Sequence, residues 1–202
     1  MSPCRVGGVD ESGKWALRRR LVAARRAVPV TVREVEAAAL AAAVAEVVLA
    51  GAPDTVCAYW PVGGEPGSPE LLDTLARRGW RVLLPVVGAT EAPLDWAEYT
   101  GAESLRAGPL GLFEPTGPRL GRAAITIATL VLVPALAVDR RGTRLGRGGG
   151  HYDRSLPLAR PGTPLIAIVR DDEVLATLPA QPHDVPVTAA LTPGRGLLPL
   201  PS

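Results

Sequence analysis

The residues with the clearest chemical potential lie in one glycine-rich and arginine-rich segment, from Asp139 to Arg154. It contains five arginines and two aspartates, and an apolar run from Thr129 to Val133 precedes it. Glycines allow a ligand to approach the main chain closely, and successive backbone N–H groups beside the start of a helix form an anion site. The segment therefore predicts a loop that binds a polyanion such as a nucleoside triphosphate, with a carboxylate left over for a metal ion.

The segment differs from the two common phosphate-binding motifs. A Walker loop requires Lys followed by Ser or Thr after its last glycine, where this chain has His151 and Tyr152. The dinucleotide-binding fingerprint requires a glycine five residues after Gly146, where this chain again has His151. The alternative is a flexible surface loop, although linkers favour Ser and Gly over Arg.

A longer stretch, from Leu132 to Arg154, resembles the signature of the 5-formyltetrahydrofolate cyclo-ligases, which are also called methenyltetrahydrofolate synthetases. One position departs from that signature, because His151 stands where the family usually has a tyrosine. The resemblance extends from Lys14 to about Thr192. It implies an ATP-dependent ligase that closes 5-formyltetrahydrofolate to 5,10-methenyltetrahydrofolate and releases ADP and phosphate.

The resemblance also implies which residues bind ATP. The family carries Lys-x-x-x-Arg in its first helix, and Lys14 and Arg18 match those two positions. Residues four apart share one face of a helix. The other arginines of this helix have no match in the family, so we expect them on the surface: Arg19, Arg20, Arg25 and Arg26. The rest of the implied ATP site is Arg144, Leu145, Gly146, Arg147, Gly148, Gly149, Gly150, His151 and Tyr152.

Trp60 and Glu65 match the family positions that meet the folate substrate. Arg147 and Tyr152 are the candidate catalytic residues and are also expected to contact substrate. The residue types alone are also consistent with core packing of Trp60 and with a solvated loop carboxylate at Glu65. Glu114 lies in a Gly-x-x-Glu-Pro segment that also resembles the family, and it is either structural or part of the site.

A magnesium site is implied at Asp153 and Asp184, which match the Asp of the family's Tyr-Asp pair and of its His-Asp pair. Mg²⁺ prefers oxygen ligands and retains waters, so two carboxylates with phosphate oxygens suit it. His183 beside Asp184 is a weak metal ligand on its own, and we expect a capping or packing role for it.

The pattern of elements predicts an α/β fold with a mostly parallel central sheet and helices on both faces, in three layers. A strand at 55–60, a helix from Pro69 to Gly79 and a strand at 80–87 form a βαβ unit. Ser12 is a predicted cap for a helix over 13–27, and Thr31 opens a capping box for a helix that runs to about Ala50. Ligands of parallel sheets bind beyond the carboxyl ends of the strands.

One domain is predicted over residues 12–192, with a mobile leader at 1–11 and a loosely held tail at 193–202. A short helix is predicted from Asp171. Two cysteines, Cys4 and Cys57, are too few for a disulfide framework. With no signal peptide and no apolar run of transmembrane length, we expect a cytoplasmic protein without membrane partners.

The net charge of +2 and the single phenylalanine disfavour a nucleic-acid binder. We expect a monomeric enzyme whose only partners are small molecules. Three alternatives use the same architecture: a sugar-phosphate isomerase, an acyl-carrier transferase that works without ATP, and a non-catalytic nucleotide-binding or thiamine-type regulator.

Overall fold

The structure, a computed structural model, describes residues 11–49, 52–88, 92–181 and 184–201. Its strands in chain order are β1 (Thr55–Cys57), β2 (Arg81–Val86), β3 (Asp95–Glu98), β4 (Leu105–Ala107), β5 (Phe113–Pro115), β6 (Leu130–Pro134), β7 (Ala137–Asp139), β8 (Arg144–Leu145), β9 (Leu165–Ile168), β10 (Val174–Leu175), β11 (Ala189–Thr192) and β12 (Gly196–Pro199).

The α-helices are α1 (Glu11–Ala27), α2 (Val30–Leu49), α3 (Pro69–Arg77) and α4 (His151–Ser155). The described residues also form five short 3-10 helices, at Ala102–Ser104, Pro109–Gly111, Arg122–Ile127, Leu156–Leu158 and Asp171–Glu173.

Seven strands form the central sheet in the order β12-β11-β9-β6-β1-β2-β3. The five inner strands pair in parallel, whereas β3 and β12 pair antiparallel at the two edges. The crossover from β1 to β2 is made by α3. The predicted βαβ unit and the mostly parallel sheet are therefore confirmed.

Both faces of this sheet are buried, as a parallel sheet requires. Along β6, Leu132 packs on the face covered by α2 and α3, and Val133 packs on the opposite face. The first face holds Leu40 of α2 and Leu72 of α3, while Ile125 of a 3-10 helix covers the second. The three-layer prediction is confirmed, with a second outer layer made mainly of short helices and loops.

A second, three-stranded sheet in the order β10-β7-β8 positions the glycine-rich loop. The buried carboxylate of Asp139 accepts hydrogen bonds of 2.9 Å from the backbone N–H groups of Arg141, Thr143 and Leu178. Gly142, at φ +83°, lies so close to Val187 that a Cβ atom would overlap its carbonyl oxygen. The β7–β8 turn is thereby fixed against the segment that follows Asp184.

Three predicted boundaries were wrong. Residues 196–199 are not a loose tail but the edge strand β12, which forms four residue pairs with β11. Asp171 opens one 3-10 turn followed by β10, rather than an α-helix. The first two helices each begin one residue before their predicted caps, at Glu11 and Val30, so that Ser12 and Thr31 lie within helices.

The leader at 1–10, Cys4, the predicted end of α2 at 50–51 and His183 lie outside the described residues. In the described part of the chain, no helix has the length and apolar character needed to cross a bilayer.

Candidate active site

A cavity of about 230 Å³ lies beyond the carboxyl ends of β1 and β6. Its walls come from the loops after these strands and from the glycine-rich loop. Of the residues predicted to bind ATP or folate, ten line the cavity: Trp60, Glu65, Arg144, Gly146, Arg147, Gly148, Gly149, Gly150, His151 and Tyr152. The sequence therefore predicted correctly that these residues converge.

Helix α1 meets the glycine-rich loop outside that cavity. Arg18 Nε donates a 3.1 Å hydrogen bond to the carbonyl oxygen of Gly146. Its guanidinium also lies over Gly148, where an added Cβ would contact it at 3.6 Å. Although 128 residues separate Arg18 from Gly146, the fold brings the amino-terminal cations to the loop, as predicted.

Lys14 is buried, and its Nζ atom lies 3.5 Å from Asp184 Oδ2. The same carboxylate oxygen accepts a 2.7 Å hydrogen bond from the backbone N–H of Gln181. Asp184 is therefore adjacent to Lys14, and the two side chains are 14% and 6% exposed. Neither residue lines the cavity, and neither do Arg18 and Asp153.

Arg144 contacts both Asp153, a predicted metal ligand, and Tyr152, a predicted substrate-binding residue. Its Nη2 atom donates a 2.5 Å hydrogen bond to Asp153 Oδ1, and its guanidinium lies 5.9 Å from the ring centre of Tyr152. Buried polar atoms normally have hydrogen-bond partners. The Nε atom of Arg144 and the hydroxyl of Tyr152 are both buried without one. Both residues line the cavity, so a polar ligand there would satisfy these atoms.

The pKa of Tyr152 is raised above its ordinary value, mainly by burial and also by the negative charge of Glu65. Arg144 acts in the opposite direction but more weakly. Tyr152 is therefore a neutral phenol throughout the physiological pH range, able to donate one hydrogen bond into the cavity.

Glu65 closes the opposite wall of the cavity. Its Oε2 atom accepts from the backbone N–H of Val62 at 3.1 Å, and its Oε1 atom accepts from Arg147 Nε at 2.9 Å. The Glu65 side chain is only 10% exposed, so the reading of Glu65 as a solvated loop carboxylate was wrong. Arg147 is 48% exposed and reaches across from the glycine-rich loop.

Aromatic side chains form the wall next to Glu65. The ring centre of Trp60 lies 6.1 Å from that of Phe113 and 6.2 Å from that of Tyr99, in tilted arrangements. Trp60 and Phe113 line the cavity and Phe113 is 44% exposed. The sequence analysis gave Phe113 no role, although its place beside Glu114 in the Gly-x-x-Glu-Pro segment was a usable signal.

Glu114 itself is structural. Its side chain is buried, and Oε1 accepts a 2.8 Å hydrogen bond from the backbone N–H of Val87, which directly follows β2. It does not line the cavity. His151 does line it, and its Nδ1 atom lies 3.4 Å from the carbonyl oxygen of Ala92.

Leu145, a predicted ATP-binding residue, is buried in an apolar cluster with Leu21 and Leu136 and does not line the cavity. One prediction about α1 was wrong. Arg25, which was expected on the surface, is only 3% exposed and lines the cavity floor. The signal was its spacing, since Arg25 lies on the same face of α1 as Lys14, Arg18 and Leu21. Arg19, Arg20 and Arg26 are exposed, as expected.

The predicted magnesium ligands are each next to a cation, as the contacts of Arg144 and Lys14 show. Among the described residues there is no group of three or more His, Cys, Asp or Glu side chains that could hold a metal ion. An ion bound at Asp153 and Asp184 would take most of its ligands from water and phosphate oxygens, as Mg²⁺ does.

The chain was then compared with known proteins. The profile of the 5-formyltetrahydrofolate cyclo-ligase family matches residues 10–193. A 5-formyltetrahydrofolate cyclo-ligase of Mycolicibacterium smegmatis is 51% identical over 191 residues, which cover 93% of this chain and 97% of that protein. The enzyme of the same name from Escherichia coli K12 is 30% identical over 143 residues, which cover 70% of this chain and 79% of that protein.

Two solved structures share the fold. The NMR structure of Aquifex aeolicus 5,10-methenyltetrahydrofolate synthetase has a TM-score of 0.78 at 23% identity, covering 94% of this chain and 93% of that one. A 5,10-methenyltetrahydrofolate synthetase from Mycoplasma pneumoniae has a TM-score of 0.71 at 18% identity, covering 88% and 96%. Sequence and fold agree: the chain belongs to the 5-formyltetrahydrofolate cyclo-ligase family.

Proposed function

We propose that this protein converts 5-formyltetrahydrofolate to 5,10-methenyltetrahydrofolate at the expense of ATP, with ADP and phosphate as the other products. Membership of the family supports the reaction. The observation that carries the assignment of the site is the contact between Arg18 and Gly146, because it joins the amino-terminal cations to the glycine-rich loop beside a cavity with aromatic and polar walls.

The chemical difficulty lies in the formyl group, which is a poor electrophile because N5 donates electrons into its carbonyl. Transfer of the γ-phosphoryl group of ATP to the formyl oxygen makes that oxygen a leaving group. N10 of the same folate then attacks the formyl carbon, and the C–O bond breaks to release phosphate. Because N10 and the formyl carbon belong to one molecule, the protein has mainly to orient them.

The phosphates of ATP require positive charge and N–H donors, because the transferred group carries negative charge over its oxygens. In the proposed site, Lys14, Arg18, Arg144 and Arg147 provide the charge. The backbone from Gly146 to Gly150 provides the N–H donors. Support comes from the position of the loop, which lies between α1 on one side and the cavity on the other.

The pterin ring is proposed to bind in the cavity itself. Trp60 supplies an aromatic surface, Glu65 fixes a polar edge of the ring, and Tyr152 donates its hydroxyl proton as a hydrogen bond. The orphaned Tyr152 hydroxyl supports this role, since a buried donor without a partner is costly unless a ligand completes it. Arg147 and Tyr152 are the proposed catalytic residues.

Asp153 and Asp184 are the proposed ligands of Mg²⁺. When bound, the ion supplies positive charge to phosphate oxygens. Arg144 and Lys14 then hold the two carboxylates in position. We also propose that the protein acts as a monomer. The cytoplasmic location expected from the sequence stays a proposal.

The test is an absorbance assay. The protein is mixed with ATP, Mg²⁺ and 5-formyltetrahydrofolate, and the near-ultraviolet band of the methenyl product is followed, with ADP measured in parallel. We expect the band to require both ATP and protein, with one ADP formed per methenyl group. Absence of the band with folded protein would overturn the proposal. ATP hydrolysis or nucleotide binding without the band would favour a non-catalytic or differently specific relative.

A further inference from the structure

A bidentate ion pair joins Arg25, in the last turn of α1, to Glu173. Neither residue belongs to the family signature. Arg25 Nε lies 2.6 Å from Glu173 Oε1, and Arg25 Nη2 lies 2.7 Å from Glu173 Oε2. Arg25 Nη2 also donates a 2.5 Å hydrogen bond to the carbonyl oxygen of Ala135. Both residues are 3% exposed, so the pair is removed from solvent.

This pair connects α1 to two central strands at once. Ala135 directly follows β6, and Glu173 ends the 3-10 turn that follows β9. Glu173 is itself held, because its Oε2 atom accepts a 2.8 Å hydrogen bond from the backbone N–H of Arg170. Arg25 therefore fixes the end of α1 at the carboxyl edge of the sheet, where the proposed site lies.

The same face of α1 carries the proposed ATP ligands. Lys14, Arg18, Leu21 and Arg25 are spaced by four, three and four residues, which places them in one stripe along the helix. At 1.5 Å per residue, Arg18 lies about 10 Å and Lys14 about 16 Å along the axis from Arg25. Because a helix is stiff over this length, a rotation or shift at Arg25 moves both cations.

The apolar packing of α1 does not fix that rotation by itself. Leu21 is its buried apolar side chain, and Leu17 and Val22 are partly buried against a cluster that includes Leu136 and Leu145. Apolar contacts are non-directional, whereas a bidentate arginine–carboxylate pair specifies both angle and register. The directional constraint on α1 at this end is the pair with Glu173 and the bond to Ala135.

Stability alone is a weak reason for such a pair, because apolar side chains of similar volume often replace a buried ion pair without loss. We infer that Arg25 is a positioning residue for ATP: with Glu173 and Ala135 it sets the register of α1, and so places Lys14 and Arg18 against the glycine-rich loop. The inference rests on the proposed function.

The test separates positioning from stability with the double variant Arg25→Met/Glu173→Met. It removes both charges and keeps the volume of the side chains, so we expect an unfolding midpoint close to that of the wild type. We expect the KM for ATP to rise by about tenfold, since misplacing a binding group by about 1 Å can cost up to about a hundredfold. Because Arg25 also lines the cavity proposed for the pterin, the KM for 5-formyltetrahydrofolate is measured alongside it.

The matched control is Arg81→Met/Glu98→Met, which removes an ion pair on β2 and β3 whose side chains are 41% and 45% exposed. It should leave both KM values unchanged. A double variant of Arg25 and Glu173 with a wild-type midpoint and a wild-type KM for ATP would overturn the inference. If that variant does not fold, Glu173→Gln replaces it: a raised KM for ATP supports the inference and an unchanged one overturns it.

A second readout does not depend on turnover. The rise in the unfolding midpoint on addition of ATP should be smaller in the double variant than in the wild type, because a ligand stabilises the folded state according to its affinity. If the wild type shows an ATP-dependent shift but forms no methenyl product, the proposed function fails while this comparison still decides the role of Arg25.

Discussion

Arg147 Nε lies 2.9 Å from Glu65 Oε1, and this ion pair spans the cavity from the glycine-rich loop to the loop after β1. The two residues have different surroundings, since Glu65 is 10% exposed and Arg147 is 48% exposed. Glu65 is also fixed by the backbone N–H of Val62. Its carboxylate is therefore a fixed acceptor, whereas Arg147 lies at the exposed end of the pair and also donates to the carbonyl oxygen of Val62 at 3.4 Å.

We expect Glu65→Gln to raise the KM for 5-formyltetrahydrofolate by about tenfold, which corresponds to weakening one hydrogen bond to a charged group. The KM for ATP should change much less. Steady-state assays with each substrate varied in turn measure both values. Glu98→Gln, in the exposed ion pair with Arg81, is the control. An equal rise of both KM values would contradict a role for Glu65 in folate binding.

Tyr152→Phe should affect activity without affecting stability. The hydroxyl is buried without a hydrogen-bond partner, so its removal loses no contact within the protein. We expect an unchanged or higher unfolding midpoint together with a fall in kcat/KM of about tenfold or more. Thermal unfolding and the methenyl assay measure the two effects. Full activity of the variant would show that the hydroxyl is not part of the proposed site.

Lys14→Ala should raise the KM for ATP, because it removes a buried cation that also pairs with Asp184. We expect a change of about tenfold or more, as for the loss of a hydrogen bond with a charged partner. Arg20→Ala is the matched control, since Arg20 is an exposed cation on the same helix. ATP titrations at saturating folate give the values. An unchanged dependence on ATP would exclude Lys14 from the site.

His151→Tyr restores the residue that is usual in the family, and we expect it to remain active. The contact of His151 with Ala92 is long, at 3.4 Å, so little is lost when the ring is replaced. Profiles of kcat/KM against pH for both proteins test this, and an inactive, folded variant would show that His151 has a role of its own.

The stability of the turn between β11 and β12 should depend on pH through Asp171. Burial raises the pKa of Asp171, but hydrogen bonds from Thr192, Gly194 and Arg195 outweigh it and hold the pKa below the ordinary value of 3.8. A lowered folded-state pKa means that the stabilisation is present above 3.8 and is lost as the pH falls through the lower value.

We therefore expect Asp171→Asn to be less stable than the wild type at neutral pH, with the difference shrinking in acid. Chemical denaturation at a series of pH values measures it. The control is Asp172→Asn, because Asp172 is 75% exposed and lies next in the chain. A difference in stability that stays constant into strong acid would contradict the assigned contacts.

Local patterns predicted much of the fold and of the site. The βαβ unit follows from apolar runs separated by a helix that begins at a proline. The position of Trp60 and Glu65 in the site follows from their place beyond the carboxyl end of a parallel strand. For Arg25 the local signal was weaker, because it consists only of a place on the face of α1 that also carries Lys14 and Arg18. Arg25 is one of five arginines in α1, and what distinguishes it is a carboxylate 148 residues away.

The remaining errors have the same origin. Gly196–Pro199 is rich in residues that are typical of loops, and its strand structure comes from pairing with β11 rather than from its own propensity. The burial of Leu145 was not recognised, because Leu145 lies inside the loop motif. In each case a tertiary contact, and not the local sequence, decides the structure.

The edge strand β12 also limits how copies of this protein can meet. A sheet edge is a template onto which another chain can add, with the risk of aggregation. Here the edge strand is short and ends in Pro199, which has no backbone N–H that an added strand can pair with. Strand β12 thus covers the edge of β11 and is itself a poor template for intermolecular β-pairing.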